Sequence, residues 1–423
     1  MTAGLNTAMK PKVTVIIPVY NTEKYLGESL DCVLSQTLQN LEIICVDDAS
    51  TDHSGEILDR YAGKDRRVRV FHLPENRRQG YARNFALEQA QGEYIYYLDS
   101  DDLIEPETLA ELYGISAEEN LDAVFFDARN LFDSQEMLRA YTPPFEKRSG
   151  IYPDHSVSGS ELLDLFVQQD EWTCYPQRTF WKRAFLQREG IRYAEGCIHE
   201  DEYFAYAGIL SAERVRYVPK QYFTLRLRAD SVMNSKPAPR NFYGYLLNYR
   251  LMCTFAAERD IHTYGSDKNI ARMYERCRYL WQRLTPEYDL REACSHTEAD
   301  RIMYKCFEAH MQYEDFFLQI DEEVLKAIRS HEHLYIYGAG VVGERFARKV
   351  LHYRDILLDG FLVSKAESRK VLCGRPITEL DKAELAENAL VVVAVREGLL
   401  AEIAEVLDQR QVKWTYFKSV RTV

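Results

Sequence analysis

The feature that most constrains this chain is an alternation, over its first hundred residues, of short apolar β-branched runs with segments of helical period. Val13-Thr-Val-Ile-Ile17 is such a run, stopped by Pro18. Leu26, Leu30, Val33, Leu34 and Thr37 then fall on one helical face. Leu41-Glu-Ile-Ile-Cys-Val46 repeats the strand signal, and Ile57, Leu58 and Tyr61 the helical one. Val68-Arg-Val-Phe71 and Tyr94-Ile-Tyr-Tyr-Leu98 read as further strands, with a helix through Ala82, Phe85 and Ala86 between them. Short buried strands separated by helices predict βαβ units, hence an α/β fold with a mostly parallel sheet flanked by helices.

The texture changes twice further on. From about 240 to 330 glycine and proline nearly vanish. Met273, Cys277, Leu280, Trp281 and Leu284 make an apolar stripe, with Arg272, Arg276 and Arg283 on another face. A second βαβ pattern begins at His333: a strand at Leu334–Tyr337, a glycine turn from Gly338 to Gly343 and a helix from Glu344 to Tyr353. Phe361–Val363, Ala389–Val395 and Trp414–Phe417 supply more strands. The expected division is an α/β domain over 10–235, a helical connector over 236–330 and a small Rossmann-like domain over 331–423.

Composition narrows the function classes. With 46% hydrophobic and 28% charged residues the chain is globular rather than low-complexity. No stretch reaches the roughly 20 apolar residues of a membrane span, and the opening residues lack a signal-peptide core. Single cysteines with no CxxC pair suit reduced thiols rather than structural zinc. A cytoplasmic protein is the expectation. A net charge of −13 argues against general nucleic-acid binding.

In an open parallel sheet, ligands bind outside the carboxyl ends of the strands. Three polar clusters sit there: Pro18-Val-Tyr-Asn21, Asp47-Asp-Ala-Ser-Thr-Asp52 and Asp99-Ser-Asp-Asp102. Aspartates also suit turns and helix caps, so each cluster alone is unremarkable, but the six aspartates of the last two clusters, converging on one edge, would repel each other without a cation. Asp99 and Asp101, at i and i+2, would point the same way in extended chain. Their hard oxygens select Mg²⁺ or Mn²⁺ and leave positions for phosphate oxygens.

The run 13–21, Val-Asp-Asp-Ala-Ser-Thr-Asp (46–52), Ala-Arg-Asn (82–84) and Leu-Asp-Ser-Asp-Asp (98–102) resemble, in order and spacing, the signatures of glycosyltransferase family 2. The resemblance covers about residues 10–235. It implies a GT-A fold, a nucleotide-diphosphate sugar donor and transfer with inversion to a glycan or lipid-linked acceptor. By the same resemblance Pro18, Tyr20, Asn21, Asp47, Asp48, Asn76, Arg83, Asp99, Ser100, Arg228 and Ser231 line the donor, and Asp99 and Asp101 hold the metal. The resemblance also implies Asp201 as the general base, with Glu200 orienting it or the acceptor. An acidic helix start is the plain alternative for that pair. One departure is Arg78, where the family often has glycine; Gly80 is the nearest substitute.

Other features are less specific. Gly338, Gly340 and Gly343 have dinucleotide-fingerprint spacing, but the acid expected after the next strand is replaced by Leu362-Val-Ser364. Nucleotide binding and tight helix–strand packing both remain open for that turn, as does a role in holding a homo-oligomer. Trp172 and Trp181 are weak candidates to touch acceptor sugar. The arginine face at 272–283 reads either as a surface for anionic lipid, with peripheral attachment at the inner membrane face, or more simply as a solvated helix face. The rival functions are a sugar-nucleotide-binding scaffold, a nucleotide-sugar oxidoreductase or epimerase run by the tail, and, more remotely, a glycoside hydrolase.

Overall fold

A computed structural model describes residues 10–134, 139, 147–228, 236–314, 320–351, 356–365, 370–386, 388–395 and 397–417. The chain forms two compact units, residues 1–300 and 301–423.

The first unit is built on an eight-stranded sheet. Its strands are β1 (Val13–Val19), β2 (Leu41–Asp47), β3 (Val68–His72), β4 (Tyr94–Tyr97), β5 (Leu103–Ile104), β6 (Ala123–Phe132), β7 (Thr179–Lys182) and β8 (Val215–Leu227). Their order is β3-β2-β1-β4-β7-β6-β8-β5. The first four are parallel, and only β7 and β5 run against their neighbours. Continuous apolar runs in β1 and β2 follow from burial on both faces. Val13, Val15, Ile17 and Val19 pack to one side with Leu26, Leu30 and Val33 of α1 (Glu23–Leu34) and Leu58 of α2 (Ser54–Lys64). Ile16, Ile44 and Val46 pack to the other with Ala82 and Ala86 of α3 (Arg78–Gln89). Of the predicted α1 stripe, Leu34 is only partly buried and Thr37 falls beyond the helix.

After α4 (Thr108–Glu118), the helices α5 (Gly159–Gln168), α6 (Arg183–Glu189) and α7 (Asp201–Ser211) complete the layers. Then come α8 (Pro239–Glu258) and α9 (Tyr264–Leu284). These two do more than connect: Met252, Phe255 and Met273 join the same core as α5 and α7. Trp181 is 1% exposed and stacks on Phe185, and Trp172 sits in the same core, so burial removes both from the surface an acceptor would touch. The short α10 (Leu290–Ala293) and α11 (Glu298–Glu314) follow. No helix among the described residues is long and apolar enough to cross a membrane.

The second unit contains α12 (Glu322–Arg329), β9 (His333–Tyr337), α13 (Val341–Val350), β10 (Leu358–Val363), β11 (Val371–Leu372), β12 (Arg375–Glu379), β13 (Ala389–Val393), α14 (Leu400–Gln409) and β14 (Lys413–Tyr416). The order β11-β12-β10-β9-β13-β14 is parallel except for the β11–β12 hairpin. Every strand read from the tail's sequence is present. The hairpin, too short and polar for a periodic signal, is the addition.

Candidate active site

Four backbone positions around the carboxyl edge of the first sheet are left-handed without being glycine: Asn21 (φ 52°), Ala49 (φ 59°), Arg78 (φ 69°) and His199 (φ 66°). Such conformations cost energy in an L residue and persist where surrounding bonds fix them. At Asn21 those bonds are explicit. Its Oδ1 accepts from Thr51 N–H at 2.8 Å, and its N–H donates to Ser50 Oγ at 3.1 Å. Asp52 accepts from the N–H groups of Glu23 (3.0 Å) and Ser54 (2.9 Å). Thr22 Oγ1 donates to Ser100 Oγ at 2.9 Å. The loops after β1, β2 and β4 are therefore laced into one surface.

Pro18 and Ser100 are buried in that surface, while Tyr20 is 46% exposed beside it. Asp47 serves its own turn: it accepts from Ser50 N–H at 3.0 Å and meets His72 Nδ1 at 2.8 Å, which raises the His72 pKa. Asp48 is buried, accepts from Arg77 N–H at 2.6 Å, and its carboxyl is pushed up by desolvation. Its carbonyl accepts from Asn76 Nδ2 at 3.2 Å. Arg78 occupies the backbone region that favours glycine, which gives a physical reason for the residue preferred at that position. Gly80 answers a different need, close approach: a Cβ there would lie 2.5 Å from the Ala194 carbonyl oxygen and 3.2 Å from Glu200 Cγ.

The 99–102 segment differs from the sequence reading. The strand ends at Tyr97, and Asp102 N–H closes a turn on the Asp99 carbonyl at 3.1 Å, so the two aspartates are not on extended chain. Each gives one oxygen to an arginine: Asp99 Oδ1 to Arg83 Nη2 at 2.7 Å, and Asp101 Oδ2 to Arg228 Nε at 2.8 Å. Burial first, then the Asp99 charge, raise the Asp101 pKa. Asp102 has a structural task that the sequence did not disclose, accepting from Arg226 N–H at 2.8 Å and tying the turn to β8. Arg226 and Arg228 both lie over the Tyr25 ring, at 5.0 and 5.3 Å. Ser231 lies outside the described residues.

Arg83 links this turn to the acidic start of α7. It is 2% exposed, and its Nη1 donates to Glu200 Oε1 at 2.6 Å while Nη2 holds Asp99. The next residue of the motif, Asn84, clasps Tyr193 N–H and carbonyl at 2.9 and 3.0 Å, and Glu195 at 2.9 Å. Helix α3 thus fixes both the approach to Asp201 and its neighbour. Asp201 is half-buried with a desolvated carboxyl. Desolvation, then Glu200 and Glu202, push it up to about 7, against the lowering effect of Arg83. Cys174, absent from the sequence-derived set, donates from Sγ to Asp201 Oδ2 at 3.4 Å. A lone cysteine in an unpatterned loop carries no signal that could have found it.

No group of three or more acidic, histidine or cysteine side chains able to hold a metal is present among the described residues. Carboxylate oxygens such as those of Asp99 and Asp101 are of the hard type that Mg²⁺ takes.

In the second unit, Gly338 is left-handed (φ 110°), and a Cβ at Gly343 would lie 1.8 Å from the Gly338 carbonyl oxygen. Backbone geometry and helix–strand packing thus account for two of the three glycines; around Gly340 a Cβ meets open space.

Residues 14–151 match the model of glycosyl transferase family 2. The chain is 29% identical over 228 residues to the glycosyltransferase GlyG of Streptococcus pneumoniae, covering 54% of this chain and 75% of that protein. It is 30% identical over 239 residues to the poly(ribitol-phosphate) beta-glucosyltransferase of Bacillus spizizenii, covering 55% of this chain but only 35% of that one. Among solved structures, residues 1–349 of S. aureus TarS in complex with UDP-GlcNAc align at 23% identity with a TM-score of 0.49, over 71% of this chain and 81% of that one. The matched family model identifies residues 14–151 as a glycosyl transferase family 2 domain, and the relatives aligned to about half of the chain are glycosyltransferases.

Proposed function

We propose that the protein transfers a sugar, with inversion, from a UDP-sugar to a hydroxyl of a surface glycan or lipid-linked acceptor on the cytoplasmic side of a membrane. The name of the poly(ribitol-phosphate) relative supports a polymeric acceptor of the cell surface. Asp48, Tyr20 and Asn76 border the nucleoside. Asp99 and Asp101 would hold Mg²⁺ or Mn²⁺, which when bound supplies positive charge to the departing diphosphate.

Inversion needs a base opposite the leaving group, taking the proton of the attacking hydroxyl. A carboxyl at about 7 is well matched to that task near neutral pH, being partly ionised yet a stronger base than an ordinary aspartate. The observation that carries the reading is Arg83. One guanidinium joins Asp99, read as the diphosphate side, to Glu200 beside Asp201, which supports a reading in which both halves of the chemistry work at one site. Water exclusion and in-line positioning fall to the laced loops.

The test begins with UDP-sugars screened for thermal stabilisation with and without Mn²⁺. With the donor that stabilises most, D201N is expected to lose sugar transfer by a factor of about 10² or more while binding UDP as the parent does. Near-normal turnover of D201N would show that the base is another group.

A further inference from the structure

Helices α8 and α9, which the sequence reads as a connector, send their inward side chains to the turn that carries Asp201. Asn248 on α8 is fully buried. Its Nδ2 donates to the His199 carbonyl at 3.0 Å and its Oδ1 accepts from Tyr203 N–H at 3.0 Å. Tyr203 is the third residue of α7, so Asn248 satisfies from another helix a donor that a cap would satisfy locally. The close approach needs glycine on α8: a Cβ at Gly244 would lie 2.2 Å from the Ile198 carbonyl oxygen. The left-handed His199 is stacked on Tyr245, centroids 4.1 Å apart. From α9, Arg272 Nη2 pairs with the buried Glu202 Oε2 at 2.6 Å, and Arg276 Nη1 donates to Tyr245 OH at 3.0 Å. Of the arginine face, Arg272 meets the acidic turn and Arg276 reaches Tyr245, while Arg283 stays exposed and donates to Tyr279 OH at 2.8 Å.

We infer that this helix pair belongs to the catalytic apparatus, with Asn248 and Arg272 as positioning residues for Asp201: Asn248 fixes the turn, and Arg272 neutralises Glu202 beside it. The inference rests on the reading of Asp201 as base. The groups that act on the Asp201 carboxyl are Glu200 and Glu202 of its own turn, Arg83 from α3 and the Cys174 thiol; Tyr193, Cys197 and Tyr245 are further titratable groups around it, and His199 and Arg276 act on Glu202 beside Arg272. Like charge disfavours ionisation. Stripped of Arg272, Glu202 would press the Asp201 proton on more tightly.

The test measures kcat/KM against pH for UDP release by the full chain, with the donor chosen above and Mn²⁺, for the parent, R272M, E202Q, R272M/E202Q and N248D. Calorimetry gives UDP affinity for each. The acid limb of R272M should move to higher pH by about one unit, and that of E202Q to lower pH, with the double variant returning close to the parent. N248D keeps the acceptor for Tyr203 but loses the donor to the His199 and Gly244 carbonyls; it should lower kcat about tenfold with UDP affinity within twofold. Limbs that stay in place, or a double variant no nearer the parent than R272M, would overturn the role of Arg272. Unchanged kcat in N248D would overturn that of Asn248. D201N run alongside separates the two levels: if it retains turnover, the base reading itself fails, whereas an inactive D201N with immobile limbs refutes only the positioning.

Discussion

Replacing Arg83 by methionine keeps the aliphatic stem and deletes the cation between Asp99 and Glu200. Both bonds are short, at 2.7 and 2.6 Å, and the guanidinium is almost wholly shielded from water. Breaking a buried ion pair from one side costs about 3–5 kcal/mol, because the abandoned charge stays desolvated. Two features limit the loss. Asp99 keeps 23% of its side chain exposed, so water replaces part of what it loses, whereas Glu200 keeps only 9%. A stranded carboxylate can also take up a proton, which for an ordinary glutamate near 4.3 costs about 3.7 kcal/mol at pH 7. The expected destabilisation of R83M is therefore about 3–4 kcal/mol at pH 7. With a urea slope of about 3 kcal/mol/M, the midpoint should fall by roughly 1 M, followed by the fluorescence of Trp172, Trp181 and Trp281. A penalty below about 1 kcal/mol would refute the view of Arg83 as the tie between the two loops.

The glycines and His72 offer independent checks. G80A should cost about 1–3 kcal/mol, since its Cβ meets the Ala194 carbonyl at 2.5 Å, and should depress transfer more than UDP binding because Glu200 is pushed as well. By contrast G114A, in α4 with open space around the added Cβ, should stabilise by about 0.5–1 kcal/mol in the same unfolding assay. His72 has a pKa raised chiefly by its hydrogen bond to Asp47, so its contribution is complete below about 6.5 and disappears as pH climbs through the folded-state value. The stability gap between the parent and H72Q should accordingly be larger at pH 6 than at pH 9; a gap that widens with pH would refute that assignment.

What the sequence settled by itself was local or periodic. Apolar runs broken by Pro18 and by aspartates identified the strands and placed the polar clusters at their carboxyl ends, because strand burial and turn chemistry are read within a few residues. The same holds for the tail, where alternating strand and helix signals were enough. Tertiary structure decided what each polar residue is for. Of the three aspartates in 99–102, Asp99 went to Arg83, Asp101 to Arg228 and Asp102 to the Arg226 N–H, on a turn that no extended-chain argument foresaw. Arg83 found Glu200, 117 positions away, and Arg272 found Glu202 across 70. Such pairings leave no periodic trace, since a charged side chain is compatible with solvent or with a distant partner. Only the packing of helices against one sheet edge determines which of the two a given arginine meets.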